Sequence, residues 1–449
     1  MTATHPRSNG WLNRWNAYPL YLRIVFAMIV GLFTGLLLGN YASFLEIPAK
    51  VILQLLGALA PAVILIAVTH VLMTTEVTGV MARRIAGLLI FNTLVAILIG
   101  LGVANLLRPG SWAKLELPEE HAASVSHSEP ASTSPAGTPA AKDDKKKPEA
   151  TEVKLSPVAL VLDNLPKSIL GPLGDKQNVI GVICIAIAFG VSLRGLKDRP
   201  VKNVQDLVQL AYDAILIVLH WIIQLVPLGV FAIVAQVVGT KGFAPFMALG
   251  VFILAVILAL LLQTCWYLLR IKFSSWVKPS DVIRGMRDAL VMAFSTGSST
   301  ATMPVTYACL KEKVGIREES ASLGALVGAN FNNDGTALYE AMAALFISQM
   351  LGLDLSIYQQ CLVILTAVVA SVGAAGIPEA GLVTMTLVFT AVGLPPKYIA
   401  LLLPVDWFLD RCRTTINVLG DVNVSCLLDG NQKPLPEPVP ETPPASVLG

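Results

Sequence analysis

The sequence predicts an all-α integral membrane protein whose C-terminal half is interrupted by polar clusters. Of its 449 residues, 55% are hydrophobic and 14% are charged, whereas a soluble domain carries roughly 25% charged residues. Six apolar segments are long enough for spanning helices, which need about 20 residues. After residue 280, Ser, Gly, Asn and Asp clusters break the apolar segments. Non-helical backbone at membrane depth is tolerated only where it is buried in protein or lines a cavity, so we expect these breaks to face inward.

The six apolar segments are the predicted spans, in chain order 19–41, 47–75, 85–107, 177–196, 204–238 and 243–270. Basic residues precede the first span, separate the second from the third, and follow the fourth and the sixth. All of them fall on one side if the N-terminus is cytoplasmic. The N-terminal 1–18 is therefore predicted to be cytoplasmic, and we expect no cleavable signal peptide because no small-residue cleavage site follows the first apolar run.

Two segments are predicted to be disordered. Residues 111–156 are rich in Pro, Ala, Ser and charged residues, and residues 429–449 are rich in Pro. Neither composition can bury a core. We expect the first to be an external linker and the second a cytoplasmic tail.

Neither a Cys/His metal site nor a disulfide is expected, and no enzyme chemistry is expected. The six cysteines are scattered singly, and the five histidines form no H-x-x-x-H pattern. Buried, inert thiols are the simplest interpretation. No Ser–His or Ser–Lys pair occurs within the predicted spans, so no catalytic residue and no organic cofactor are predicted.

Three breaks interrupt the C-terminal half: "FSTGSSTATMPVT" at 294–306, "GANFNNDGT" at 328–336 and "ASVGAAGIPEAGLVTM" at 370–385. The first would present half-helix N-termini, whose free N–H groups favour an anion. Small-residue helix packing is the alternative interpretation of this serine run.

The last apolar segment carries a polar stripe within "DWFLDRCRTTINVLGD", residues 406–421. At about 100° per residue, the polar side chains fall within about 100° of arc. They are Asp406, Asp410, Arg413, Thr414, Asn417 and Asp421. An alternative is an ion-pair ladder of Asp406, Arg413 and Asp410 that only holds helices together. Asn417 and Asp421 argue against it, because they continue the stripe without matching cations.

Carboxylates outnumber cations in the spans after residue 290. The carboxylates are Asp334, Glu340, Asp406, Asp410 and Asp421, against Arg411 and Arg413. Unpaired charge is not sustained in a low-dielectric interior, so we expect either protonation or bound cations. Oxygen ligands suit Na+, and Glu340 is the predicted proton carrier because a poorly solvated carboxyl group favours its neutral form.

The stripe also suggests a substrate. Arg413 offers a planar fork for a carboxylate, and Asp410 one turn away can hold an ammonium group. Together with the anion-binding backbone of the first break, these groups describe an acidic amino acid.

Four motifs in this order, "STGSSTATMPVT", "NNDGTALYEA", "ASVGAAGIPEAGLVTM" and "DWFLDRCRTTINVLGD", resemble the glutamate transporter family, the dicarboxylate/amino acid:cation symporters. The resemblance covers 19–428. It implies a homotrimer in the cell membrane with eight transmembrane helices, two re-entrant helical hairpins and inverted repeats. The scaffold would comprise 19–75 and 177–238. An elevator-type transport domain would comprise 85–107 and 243–428.

The resemblance also implies roles for individual residues. The implied substrate-binding residues are Gly297, Ser298, Ser299, Thr336, Ile377, Pro378, Glu379, Ala380, Gly381, Asp410, Arg413, Thr414 and Asn417. Glu379 among them is expected to face solvent. The implied Na+ ligands are Asn92, Thr93, Gly328, Asn330, Asn332, Asp334, Ser371, Val372, Ala374, Asn417 and Asp421. The residues implied in proton and K+ coupling are Glu340, Asp406 and Arg411.

The predicted function is therefore import of L-glutamate or L-aspartate with Na+ and H+, with K+ counter-transport as an open possibility. Asn333 stands where the family has Met, and Asn330 and Asn92 stand where it has Thr, which leaves the ion stoichiometry open. A C4-dicarboxylate or neutral amino acid symporter and an anion-conducting channel of the same fold are the alternatives.

Overall fold

The computed structural model describes residues 18–74, 79–113, 201–373 and 380–433, together with positions 188, 189, 192, 193, 196 and 199. Every regular element within these ranges is a helix, in agreement with the predicted all-α class. Most of the predicted fourth span, nearly all of the predicted linker and most of the predicted termini lie outside the described residues. The eight-span topology and the inverted repeats therefore remain predictions.

Five long helices form the first part of the described chain. They are α1 (Leu20–Leu38), α2 (Glu46–Thr74), α3 (Gly79–Leu107), α4 (Val204–Lys241) and α5 (Ala244–Ser274). Four stretches within the described residues are long and apolar enough to cross a membrane, and they include α1, α3, α4 and α5. Asn203 begins α4 with a capping box, in which its side chain accepts from the Asp206 N–H and Asp206 accepts from the Asn203 N–H.

Most helices in the C-terminal half of the described chain are shorter, and the first two predicted breaks separate helices there. The helices of this half are α6 (Pro279–Gly285), α7 (Arg287–Thr296), α8 (Ser299–Ala308), α9 (Glu318–Ser322), α10 (Gly328–Phe331), α11 (Asp334–Met350), α12 (Ile357–Gly373), α13 (Ala380–Ala391) and α14 (Leu403–Asp429). Pairs α7/α8, α10/α11 and α12/α13 flank the three predicted breaks.

The helices pack in two groups. Helices α1 and α2 lie along α4, whereas α14 is surrounded by α5, α7, α8, α10 and α11, and α3 packs on α5 and α11. Glycine allows α1 to approach α4 closely, because a Cβ atom on Gly31 would lie 2.7 Å from the Phe231 carbonyl oxygen. The second group holds the first two breaks and the polar stripe.

Two boundary details and the exposure of two cysteines differ from the predictions. The linker starts later than residue 111, because Pro109–Trp112 form a 3₁₀ turn whose Gly110 N–H donates to Gln349. The tail also starts later, because Asp429 is buried at the end of α14. Cys309 and Cys426 are buried as expected, but Cys265 and Cys361 are exposed.

Candidate functional site

The break between α7 and α8 turns at a glycine in the left-handed region. Gly297 has φ of 64°, a conformation that glycine adopts without steric cost. Ser298 then caps α8 by accepting a hydrogen bond from the Ala301 N–H at 3.1 Å. Ser299 donates to the Ala329 carbonyl at 3.0 Å, which ties this break to α10. Both serines are buried, as an inward-facing break requires.

The break between α10 and α11 is held by asparagine side chains. The Asn332 amide donates to the Asn417 carbonyl and to Asp421 Oδ1, at 3.0 and 2.9 Å. Asn333 donates to the Ser371 carbonyl at 3.0 Å, and the Gly335 N–H donates to Asn417 Oδ1 at 2.8 Å. Side chains of this break thus donate to α12 and α14, and α14 accepts the Gly335 N–H, so the break and the two helices form one polar centre.

The polar stripe of α14 faces this centre. All six of its members are less than 9% exposed, as the helical periodicity predicts. Arg413 is fully buried and donates to Asp406 at 3.0 Å and to Asp410 at 2.8 Å. Its guanidinium also lies over the Tyr339 ring, 4.0 Å from the centroid. The ladder that the sequence left as an alternative is therefore present.

The ion-pair ladder does not engage all the N–H donors of Arg413. A guanidinium has five N–H donors, and Nε of Arg413 is buried without a hydrogen-bond partner among the described residues. A buried donor without a partner is costly. This atom is a ready contact for an anionic group.

Helix α13 closes over the same guanidinium. A Cβ atom built on Gly381 would lie 3.4 Å from Arg413 Nη2 and 3.2 Å from Thr336 Cγ2. Its absence lets the start of α13 approach α11 and α14. One turn later, the Thr384 hydroxyl donates to Glu340 Oε1. Glu340 is fully buried, and its Oε2 has no hydrogen-bond partner within the described chain.

A second cluster of oxygen atoms lies deeper along α14, around Asp421 and Asn332. Both side chains are buried, and Asn332 Oδ1 has no hydrogen-bond partner in the part of the chain that the structure describes. Gly328 packs directly on the Asp421 side chain. A carboxylate beside an unpaired amide oxygen is a donor set that fits a hard monovalent cation.

Asp334, at the start of α11, lies in a third cluster. Thr93 donates to its Oδ1 at 2.6 Å, and the Tyr267 hydroxyl donates to its Oδ2. Arg270 donates to Asn92 Oδ1 beside it. Tyr267 and Arg270 both belong to α5, and no sequence motif marks either of them as a site residue.

Comparison with known protein families identifies a family whose matched region contains all three clusters. The model of the sodium:dicarboxylate symporter family matches residues 20–430, which include every residue of the three clusters. The chain belongs to the sodium:dicarboxylate symporter family. It is therefore a membrane transporter and not an enzyme, as predicted.

Several curated relatives of this symporter are similar over nearly the whole chain. Excitatory amino acid transporter 3 of Oryctolagus cuniculus is 31% identical over 447 residues, with 91% of this chain and 84% of that protein covered. Its counterpart in Homo sapiens is 30% identical over 444 residues, with the same coverage. Excitatory amino acid transporter 4 of Mus musculus is 42% identical over 247 residues, or 54% of this chain and 44% of that protein.

The symporter fold brings together most of the residues implied in substrate and ion binding, with two exceptions. The Asn330 side chain donates to the Leu326 carbonyl at 3.0 Å, within its own helical segment. Arg411 donates to the Trp407 carbonyl and lies over the rings of Tyr21 and Trp407. It therefore points toward α1 and not toward Arg413.

Most of the other residues implied at the second hairpin lie outside the described residues, or have side chains that are not described. Ala374, Ile377, Pro378 and Glu379 lie outside the described residues, and the side chains of Val372 and Ala380 are also undescribed. Tyr267 and Arg270 were missed because one is aromatic and the other stands at the end of an apolar run. The signal that could have found them is their spacing of three residues, which puts both on one face of α5.

Proposed function

We propose that this symporter imports acidic amino acids, L-glutamate or L-aspartate, together with Na+ and H+. The observation that carries the proposal is Arg413, which is fully buried beside Asp410 and whose Nε has no hydrogen-bond partner among the described residues. A substrate side-chain carboxylate would take the guanidinium, and the ammonium group would take Asp410. The names of the relatives, excitatory amino acid transporters, support the same substrate class.

The backbone and hydroxyl groups of the breaks would complete the substrate site. Ser298 and Ser299 at the first break and Thr336 on α11 are buried. Thr414 bonds the Asp410 carbonyl, and Asn417 reaches toward Thr336 at 3.4 Å. Gly381 lies above Arg413. In this proposal the second hairpin tip, residues 377–381, is the outer gate.

Na+ would bind at the cluster of Asp421, Asn332, Asn417 and Gly328, where the unpaired amide oxygen of Asn332 supports a cation. A second ion is proposed beneath the gate, where Ser371 is buried. Co-transported cations would then compensate carboxylates that the chain itself leaves without positive partners.

Glu340 would carry the proton. Its side chain is fully buried, Thr384 donates to one oxygen, and the other has no partner in the described part of the chain, so the neutral carboxyl group is favoured when the site is closed. Asp406 and Arg413 interact electrostatically with Glu340, which supports a role for Asp406 in K+ counter-transport after substrate release. The trimer, the fixed scaffold and the moving transport domain are part of this proposal, and the two packing groups of helices support the division.

The test is uptake of radiolabelled L-glutamate into proteoliposomes under an inward Na+ gradient. Accumulation above the external concentration supports the proposal. Equilibration without accumulation would support a channel and contradict symport.

A C4-dicarboxylate is the second candidate substrate, and one observation favours it. Asp410 is already paired with Arg413 at 2.8 Å, and a dicarboxylate needs no ammonium partner. Competition decides between the two. Strong inhibition of glutamate uptake by unlabelled succinate would favour the dicarboxylate, whereas inhibition by L-aspartate alone would favour the amino acid.

A further inference from the structure

Arg270 belongs to a hydrogen-bonded network that joins four helices. It donates to Asn92 Oδ1 on α3. Asn92 in turn donates to Asn423 Oδ1 on α14 at 3.2 Å, and Asn423 donates to the Tyr267 carbonyl on α5 at 3.0 Å. The Tyr267 hydroxyl returns to Asp334 on α11. With Thr93, these residues are the Arg270 network.

The guanidinium is fixed within this network from several sides. It lies over the Phe91 ring at 5.1 Å from the centroid and near the Trp266 ring at 6.0 Å. Aromatic faces on both α3 and α5 hold a cation in place. Arg270 also interacts electrostatically with Asp334.

The oxygen atoms expected to bind Na+ here are already engaged. Both carboxylate oxygens of Asp334 accept hydroxyl hydrogens, from Thr93 and from Tyr267. Asn92 Oδ1 accepts from the guanidinium, which competes with any cation for the same lone pairs. This cluster differs from the one at Asp421, where Asn332 Oδ1 has no partner among the described residues.

We propose that Arg270 is a built-in cation that compensates Asp334, so that no transported Na+ binds among Asn92, Thr93 and Asp334. The inference deepens the proposed function, on which it rests, and it revises the Na+ site that the sequence implied. Asp421 then depends on a mobile cation and Asp334 on a tethered one. The symporter consequently moves one Na+ fewer per substrate than a protein with an open site at Asp334.

The test removes the tethered charge and asks whether Na+ replaces it. Arg270→Met keeps a long apolar side chain without charge, and Arg270→Lys keeps the charge. Lys272→Met is the matched control, because Lys272 lies in the same turn of α5 but is exposed and contacts only the Phe273 ring among the interactions described. Two quantities are measured for each purified protein: the midpoint of thermal unfolding across Na+ concentrations, and the flux ratio of ²²Na+ to substrate.

The proposal expects the unfolding midpoint of Arg270→Met to rise more steeply with Na+ than that of wild type, since an added Na+ site stabilises the folded state by mass action. It expects the flux ratio of this variant to increase by one, and Arg270→Lys and Lys272→Met to match wild type. An active Arg270→Met protein with the wild-type Na+ dependence and flux ratio overturns the proposal.

A folding failure is also decisive. If Arg270→Met cannot be purified, the double variant Arg270→Met/Asp334→Asn removes both charges, and the proposal expects it to fold. Failure of the double variant as well would make Arg270 a packing residue and overturn the proposal. The unfolding measurement needs no substrate, so it still tests the tethered cation if wild-type protein fails to accumulate glutamate.

Discussion

Replacement of Arg413 by cysteine is the sharpest perturbation of the substrate site. The substitution removes hydrogen bonds of 3.0 Å to Asp406 and 2.8 Å to Asp410, and the cation over the Tyr339 ring. Hydrogen bonds to charged groups contribute about 1.5–3 kcal/mol each. A substrate carboxylate held by two such bonds would lose about 3–6 kcal/mol, which corresponds to a loss of roughly 10²- to 10⁴-fold in affinity.

The same substitution strands two buried carboxylates. Removing one partner of a buried ion pair costs about 3–5 kcal/mol of stability, so Arg413→Cys should also unfold at a lower temperature than wild type. Adding Asp406→Asn should recover part of that stability, because one of the stranded charges is then removed. Arg413→Lys keeps the charge without the fork, and its affinity should fall between those of wild type and Arg413→Cys.

The assay is concentration-dependent uptake of L-glutamate and L-serine into proteoliposomes, with folded protein quantified by size-exclusion chromatography. We expect acidic uptake to be lost and uptake of the small neutral amino acid to persist or increase, because the neutral side chain needs no guanidinium. A folded Arg413→Cys protein with the wild-type KM for glutamate would refute the assignment of Arg413 to the substrate carboxylate.

Three further predictions concern the proton, the ion and the gate. Glu340→Gln should exchange internal for external substrate but lose net, pH-dependent uptake, because an amide cannot release a proton; a comparison of counterflow with net uptake checks this, and intact proton coupling would count against it. Asp421→Asn should raise the Na+ concentration for half-maximal uptake by roughly tenfold or more, because one charged cation ligand becomes neutral; an unchanged Na+ dependence would exclude Asp421 from the Na+ site. Gly381→Val should raise the substrate KM, because the valine methyl groups would press on Thr336 and Arg413, at an overpacking cost of about 1–3 kcal/mol. Gly381→Ala should raise the KM less. Equal KM values for the two variants would contradict the close approach of α13.

The positions of the helix breaks and the buried face of α14 could be predicted because they depend on local rules. Gly297 and the Asn332–Asn333 pair disfavour a continuous helix, and a 100° turn per residue gathers the stripe on one side. The same periodicity puts Arg411 about 100° away from Asp410. The structure accordingly turns Arg411 toward Tyr21, although the resemblance implied a role beside the substrate aspartate.

The network around Arg270 could not be predicted, because it depends on contacts between helices that are distant in sequence. The charge count covered only the spans after residue 290 and therefore omitted Arg270. In the sequence, Arg270 stands at the end of an apolar run and resembles a loop residue. Helix α5 continues to Ser274, which keeps Arg270 helical and against α3. The carboxylate surplus of the interior is therefore smaller than the sequence count, and Arg413 and Arg270 each compensate part of it.

The central claim is that mobile cations compensate the buried carboxylates that Arg413 and Arg270 do not. Substrate uptake with independently imposed ion gradients tests this claim most directly. Proteoliposomes would receive Na+, H+ and K+ gradients one at a time, and the accumulation of labelled glutamate would be measured at a clamped membrane potential. We predict that an inward Na+ gradient alone drives accumulation and that an inward H+ gradient increases it. Equal accumulation with and without the Na+ gradient would contradict the account.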